Sequence, residues 1–276
     1  MANNTKKAIQ EAKAKRSKYF NYYVSNFCLL FNNSVEIVNG DDIPKRYLLK
    51  VLRNRGAIAY DKQQKIYLPF TEIGIDLYGL PTQYQLIAYN GVTLMRSPDE
   101  VVILRANDLQ FPMIEYFNQQ AGKIVDIDMS IEQNIEAIKT MSIISVRDTA
   151  ELLSLANYEY ARRLGASVVY KEKGVENTVK VENTNAQYLV DKLLEARKEV
   201  INETLASIGI AVANTDKRER VQGLEVMASQ GYAQDKLNTL VDTFNYDAEI
   251  GGLKIRLKAN TTLSKNISNT EVSKNV

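Results

Sequence analysis

The sequence predicts an α+β protein, mainly helical, and three patterns carry that prediction. Residues 112–141 and 185–208 repeat apolar side chains at steps of three and four, the period of a helix with one buried face. Residues 57–106 break instead into short β-branched, aromatic and aliphatic runs separated by turn signals. Between the two long helices, residues 142–184 read as strand, helix, strand. A chain of 276 residues, 45% hydrophobic and 25% charged, has room for one large or two modest domains with an ample core.

Taken in order, residues 5–32 read as a helix. Its first half is rich in lysine and alanine, and Tyr19, Phe20, Tyr23, Phe27, Leu30 and Phe31 then form an apolar stripe. Asn39-Gly40-Asp41-Asp42 is a turn, and Pro44 opens a short helix that runs to Arg55 and stops at Gly56. Five strands are expected next: Ala57–Tyr60, Lys65–Leu68, Gln85–Tyr89, Val92–Met95 and Val101–Leu104. The pair Asn90-Gly91 is a two-residue hairpin signal, and five short strands in this space suggest a small, partly open barrel.

In the first long helix Phe117, Ala121, Ile124, Ile127, Ile131, Ile135 and Ile138 form the stripe, over roughly 45 Å at ~1.5 Å per residue. Ser142–Val146, Asp148–Leu164 and Ala166–Tyr170 read as a βαβ crossover with parallel strands, with a third strand at Val175–Val181. The second long helix runs from Asn185 to Ile208 and closes at Gly209. Its stripe is Leu189, Leu193, Ala196, Val200 and Leu205, while Lys192, Glu195, Glu199 and Asn202 step along a different face. That second face is either a solvated surface or a polar lining. Asp216–Met227 and Asp235–Tyr246 are read as two helices joined by a loop at 228–234. Gly251–Lys258 is read as a closing strand, and 259–276 as a disordered tail.

The absences narrow the chemistry. With no His there is no Ser-His-Asp triad, Cys-His pair or His-ligated metal site. A single cysteine, Cys28, allows no disulfide or thiolate cluster, and its apolar neighbours fit a buried hydrophobe. Neither a Walker A loop nor a Gly-x-Gly-x-x-Gly fingerprint occurs. Carboxylate-only chemistry survives composition, yet no pair of acids is singled out by spacing. The chain reads as a non-enzyme without metal or cofactor. No apolar run reaches the ~18–20 residues of a membrane span, and no secretory signal is read at the start.

Charge is unevenly spread. Lys6, Lys7, Lys13, Lys15, Arg16 and Lys18 against Glu11 give residues 1–18 a net +5; residues 253–276 carry +4, leaving −7 on the rest. Basic ends on an acidic body suit contact with nucleic acid or an acidic partner, or simply soluble tails.

Particular residues then carry a family resemblance. Tyr188-Leu189-Val190-Asp191-Lys192-Leu193, Glu203-Thr204-Leu205, Ile208-Gly209-Ile210, Asn214 and Lys217-Arg218-Glu219-Arg220 resemble the phi-29-like phage head–tail connectors, also called upper collar or portal proteins. Val101-Val102-Ile103, Asn107-Asp108 and Phe111-Pro112 match the same family's lead-in to its first stem helix. The resemblance covers roughly residues 100–258 and is strongest near 188–226.

The resemblance implies a portal fold assembled as a ring of about twelve subunits at one capsid vertex, through which DNA is packaged, retained and ejected. Residues 1–18 would be a basic N-terminal arm, 19–107 the wing helices and small β-barrel, and 108–141 the first stem helix. Residues 142–184 would be the α/β clip, 185–209 the second stem helix, and 210–258 a broken helix with the channel loop 228–234 and the wing's closing strand. Lys192 matches a family channel lysine. The position nine residues earlier is Asn183 here, with Lys180 and Lys236 as substitutes. Glu195, Glu199, Asn202, Ser229, Gln230, Gly231 and Tyr232 complete the expected DNA-channel set. Implied partners are other copies of the chain, double-stranded DNA, a packaging ATPase, a structural packaging RNA on the basic arm, the major capsid and scaffolding proteins, and the lower collar or tail protein. A membrane is not among them. The implied location is the virion, with assembly in the host cytoplasm. The alternative from the residues alone is a nucleic-acid-binding structural virion or regulatory protein that uses the basic arm.

Overall fold

The computed structural model describes residues 2–40, 42–139, 142–145, 180–183, 187–210 and 223–260. The chain divides into two compact units, one of Met1–Asp126 with Arg197–Val276 and the other of Ile127–Ala196.

In the first unit, helix α1 (Ala2–Ser34) follows from a run of strong helix formers, with Tyr23, Phe27 and Phe31 buried one turn apart. Phe27 and Phe31 pack on Phe117 with ring centroids 5.8 and 6.4 Å away. Strand β1 (Val35–Val38) follows, an element the sequence reading lacks. It pairs antiparallel with the last strand, β10 (Arg256–Ala259), with Val35 opposite Ala259. Helix α2 (Lys45–Arg55) has the expected ends. Pro44 is its extended N-cap, and Gly56 turns left-handed at φ 75° and donates its N–H to the Leu52 carbonyl at 2.8 Å.

Strands β2 (Ala57–Asp61), β3 (Ile66–Leu68) and β7 (Val101–Arg105) form one antiparallel sheet in the order β3-β2-β7. Strands β4 (Phe70–Ile75), β5 (Pro81–Ile87) and β6 (Thr93–Arg96) form another in the order β4-β5-β6. The expected five-stranded barrel is therefore corrected to two three-stranded sheets, and β4 is the strand the reading lacks. Pro69, which has no N–H, separates β3 from β4 and lets the chain pass from one sheet to the other. The sheets share a core of Ala59, Leu68, Leu86 and Val101. Buried Asp61 on β2 ties them further: the Arg96 guanidinium on β6 donates to it through Nη2 at 2.9 Å and Nε at 3.2 Å.

The Asn90-Gly91 hairpin exists, but with three loop residues rather than two. Gly91 (φ 86°) donates to the Ala88 carbonyl at 3.0 Å, and Ala88 N–H donates to Val92 O at 2.9 Å. Tyr89, Asn90 and Gly91 thus make a type I turn followed by a left-handed glycine.

Helix α3 (Met113–Lys139) buries the first part of the expected stripe, Phe117, Ala121 and Ile124, whereas Ile127, Ile131 and Ile138 are half-buried and Ile135 is exposed. Among α4 (Val190–Ser207), α5 (Gly223–Ile250) and β10, the largest departure is α5. Residues 228–234, expected as a loop between two helices, are helical throughout. The segment has no proline, and Gly231 among alanines and glutamines costs only about 1 kcal/mol, too little to break a helix with a buried face. That face is Leu237, Leu240, Phe244 and Ala248. Asp247 on α5 takes three hydrogen bonds from Arg105: Nη2 at 2.7 Å, Nε at 2.9 Å and the backbone N–H at 2.9 Å. The Asn245 amide bonds both polar groups of Leu257, so α5 holds β7 and β10 together. The closing strand starts at Arg256, later than expected, and runs through Ala259.

In the second unit, β8 (Ser142–Ser145) pairs antiparallel with β9 (Lys180–Asn183), Ser142 opposite Asn183. The expected parallel partner, Ala166–Tyr170, and the helix Asp148–Leu164 lie outside the described residues. The strand that pairs with β8 overlaps only the last two residues of the expected third strand, Val175–Val181. Helix α4 begins at Val190 rather than Asn185. Asn134 of α3 binds the preceding backbone, accepting from Leu189 N–H at 3.0 Å and donating to Gln187 O at 2.8 Å. The expected helix 216–227 is described only from Gly223, and the tail beyond 260 lies outside the described residues.

Candidate functional site

Helix α4 is two-faced. Val190, Thr204 and, just past its end, Ile208 are buried, and Leu193, Ala196 and Val200 are half-buried. Lys192, Glu195 and Glu199 lie on the exposed side with Asp191, Lys198 and Glu203. That side therefore carries two cations and four carboxylates, an acidic surface with isolated basic positions. Asn202, seven residues after Glu195 and on the same side, is half-buried. Leu189, expected in the apolar stripe, precedes the helix and is exposed.

Within the first unit α4 is held by Arg197, whose Nη2 donates to the Tyr23 hydroxyl at 2.7 Å while its guanidinium carbon lies 5.9 Å from that ring's centroid. This contact ties α4 to α1 at Arg197. Sequence reasoning lacked it, because an arginine among exposed charges gives no signal of burial. It equally lacked the Asp61–Arg96 and Asp247–Arg105 pairs, although a lone acid closing an apolar strand, as Asp61 closes Ala57–Tyr60, is a usable hint.

Other expected site residues lie elsewhere. Lys180 starts β9, opposite Ser145. Ser229, Gln230, Gly231 and Tyr232 are in the body of α5 rather than on a loop, and Lys236 is exposed on the same helix. The arm residues Lys6, Lys7, Lys13, Lys15, Arg16 and Lys18 are all exposed along α1. Arg16 pairs with Asp126 at 2.6 Å, and Lys15 sits 5.8 Å from the Tyr19 ring centroid.

Perturbed titrations mark the scaffold rather than this surface. Burial alone would raise the Asp61 carboxyl, but the Arg96 guanidinium and the N–H groups of Gln63 and Gln64 hold it below its usual 3.8. Tyr67 is pushed up to about 12 by burial, with Tyr60 and Asp42 adding to it. Burial raises the Cys28 thiol, which disfavours a thiolate nucleophile there. Among the described residues no three His, Cys, Asp or Glu are grouped to hold a metal ion, and no helix is long and apolar enough to cross a membrane.

Among solved structures, a chain of the portal and tail of native bacteriophage P68 is 15% identical with a TM-score of 0.45, covering 98% of this chain and 97% of that one. An HK97-family phage portal protein from Corynebacterium diphtheriae is 12% identical with a TM-score of 0.44, covering 87% of this chain and 92% of that one. The family model for the phage connector (GP10) matches residues 4–264. With nearly the whole chain inside that match, the protein belongs to the phage connector family and is a phage portal, or head–tail connector, a component of the virion.

Proposed function

We propose that this portal works as a closed ring of about twelve copies, with the exposed side of α4 lining a channel for double-stranded DNA. The observation that carries the reading is the charge mixture on that side, set beside the family membership. A lumen must let duplex slide. A uniformly basic wall would hold DNA through many phosphate contacts and released counterions, whereas an acidic wall with isolated lysines repels phosphate weakly and attracts it only in places. In a ring Lys192 recurs once per subunit, so one side chain becomes a band of positive charge beside the successive bands of Glu195 and Glu199. A separate packaging ATPase supplies the work of translocation in this reading, and the capsid, scaffolding and lower collar proteins hold the ring in place. A flexible 228–234 loop that checks DNA retreat has no place in this reading, because α5 is helical there.

The exposed cations of α1 supply the second contact in this reading, with a structural packaging RNA or DNA. Deleting residues 2–18 should lower nucleic-acid affinity and flatten its salt dependence; unchanged affinity for both RNA and DNA would reject that contact. The ring itself is tested by sedimentation of the purified chain without DNA. Closed oligomers are expected at micromolar concentration, and a monodisperse monomer would contradict the reading.

A further inference from the structure

We infer that the tip of the β4–β5 hairpin is a docking element whose occupant is a second copy of this chain, specifically the outer face of its α1. The inference rests on the ring reading for the presence of that second copy. Residues 76–80 form a tight loop of the same geometry as the Tyr89-Asn90-Gly91 turn. Asp76 N–H donates to Leu80 O at 2.8 Å, Gly79 N–H donates to Asp76 O at 3.1 Å, and Gly79 is left-handed at φ 78°. The Asp76 carboxylate accepts from both Tyr78 N–H and Leu80 N–H at 2.8 Å, and the Thr82 hydroxyl ties the stem to Ile73 O at 3.2 Å. The backbone of the tip is thus well tied down, and little ordering entropy remains to be lost on docking.

What this rigid loop presents is apolar. Leu77 is 101% exposed and Tyr78 88%, flanked by exposed Ile75 and Leu80. Surface turns are ordinarily polar, and clustered apolar side chains on a fixed frame mark an interaction site. The sister turn makes the contrast. Its Tyr89, though 67% exposed, has its ring 5.8 Å from Tyr47 and the Lys50 ammonium 5.0 Å from its centroid, so the large side chain of that tip has partners in its own chain.

Charge selects the occupant. The β4–β5 hairpin, Phe70–Ile87, holds two acids, Glu72 and Asp76, and no Lys or Arg. The outer face of α1 runs Lys15, Lys18, Tyr22, Ser25, Leu29 at alternating steps of three and four, all exposed, with Tyr22 61% and Leu29 57% uncovered. It offers apolar side chains beside cations, the complement of an apolar tip beside carboxylates. Within one chain both surfaces stay uncovered, so neither satisfies the other. Bringing them together between copies makes a heterologous contact, the kind that closes a ring. An anionic membrane would be repelled by the same two carboxylates.

The test places the photo-cross-linker p-benzoylphenylalanine at position 77 of the full chain, in an equal mixture of two isotopically labelled preparations. The expected product is a mixed-label dimer whose cross-linked peptide contains residues 15–29 of the other copy. The Lys15→Glu, Lys18→Glu double variant, which alters only exposed positions, should cut its yield several-fold. If the protein sediments as an oligomer but position 77 reaches another segment or no second copy, the docking inference falls and the ring reading stands. Should the protein sediment as a monomer with no intermolecular product, both fall.

Discussion

Leu86 and Leu77 stand nine residues apart in one antiparallel hairpin and have opposite surroundings. Leu86 is wholly buried, packed with Ala59, Leu68 and Val101 between the two small sheets, whereas Leu77 is wholly exposed at the far end. The sheet β4-β5-β6 is therefore two things along its length, a packed root and an uncovered tip. The other sheet, β3-β2-β7, has its central strand β2 buried at four of five positions. A single strand pair can thus serve the subunit core at one end and remain unsatisfied at the other, and apolar content alone does not say which.

Four substitutions break or sharpen that contrast. Leu86→Ala should cost the largest amount, about 2–5 kcal/mol in urea unfolding, because a cavity opens where both sheets meet. Asp61→Asn comes next, since it removes the charged tie between the sheets and leaves the Arg96 guanidinium without its carboxylate. Its deficit has a pH signature. A folded carboxyl held below 3.8 gives stability that is fully present above that value and is lost as pH falls through the lower, folded value. The gap between wild type and variant should therefore be wide at pH 7 and close below pH 3.8. A gap that persists in acid would mean that the tie is not electrostatic.

Gly79→Ala should cost about 1 kcal/mol, the strain of a left-handed alanine, because an added Cβ there has nothing within 4 Å to strike. Leu77→Ser should change subunit stability least, within about 0.5 kcal/mol, since its side chain touches nothing that folding buries. A larger loss, measured on dissociated subunits, would show that the tip is covered by its own chain.

The local signals were legible where the controlling residues are neighbours. Pro44 and Gly56 bound α2 as their backbone preferences require, and steps of three and four placed Lys192, Glu195 and Glu199 together on the uncovered side of α4. What escaped reading depends on distant partners. Strand β1 is four residues long and is defined by β10, more than 200 residues away. The start of α4 is set by Asn134 on another helix, which holds the 187–189 backbone out of helical geometry. Strand β4 hides because Thr71, Glu72 and Gly74 dilute its apolar pattern, yet β5 supplies the ladder. Gly231 misled in the other direction: a glycine that reads as a break is carried by a long helix docked through Leu237, Leu240 and Phe244.

A cryo-electron microscopy reconstruction of the purified full chain tests the central claim most directly, because it shows both the ring and the side of α4 that faces its hole. The prediction is a closed ring with Lys192, Glu195 and Glu199 turned to the lumen. A ring whose lumen is lined by another surface, or particles with no closed ring, would contradict it.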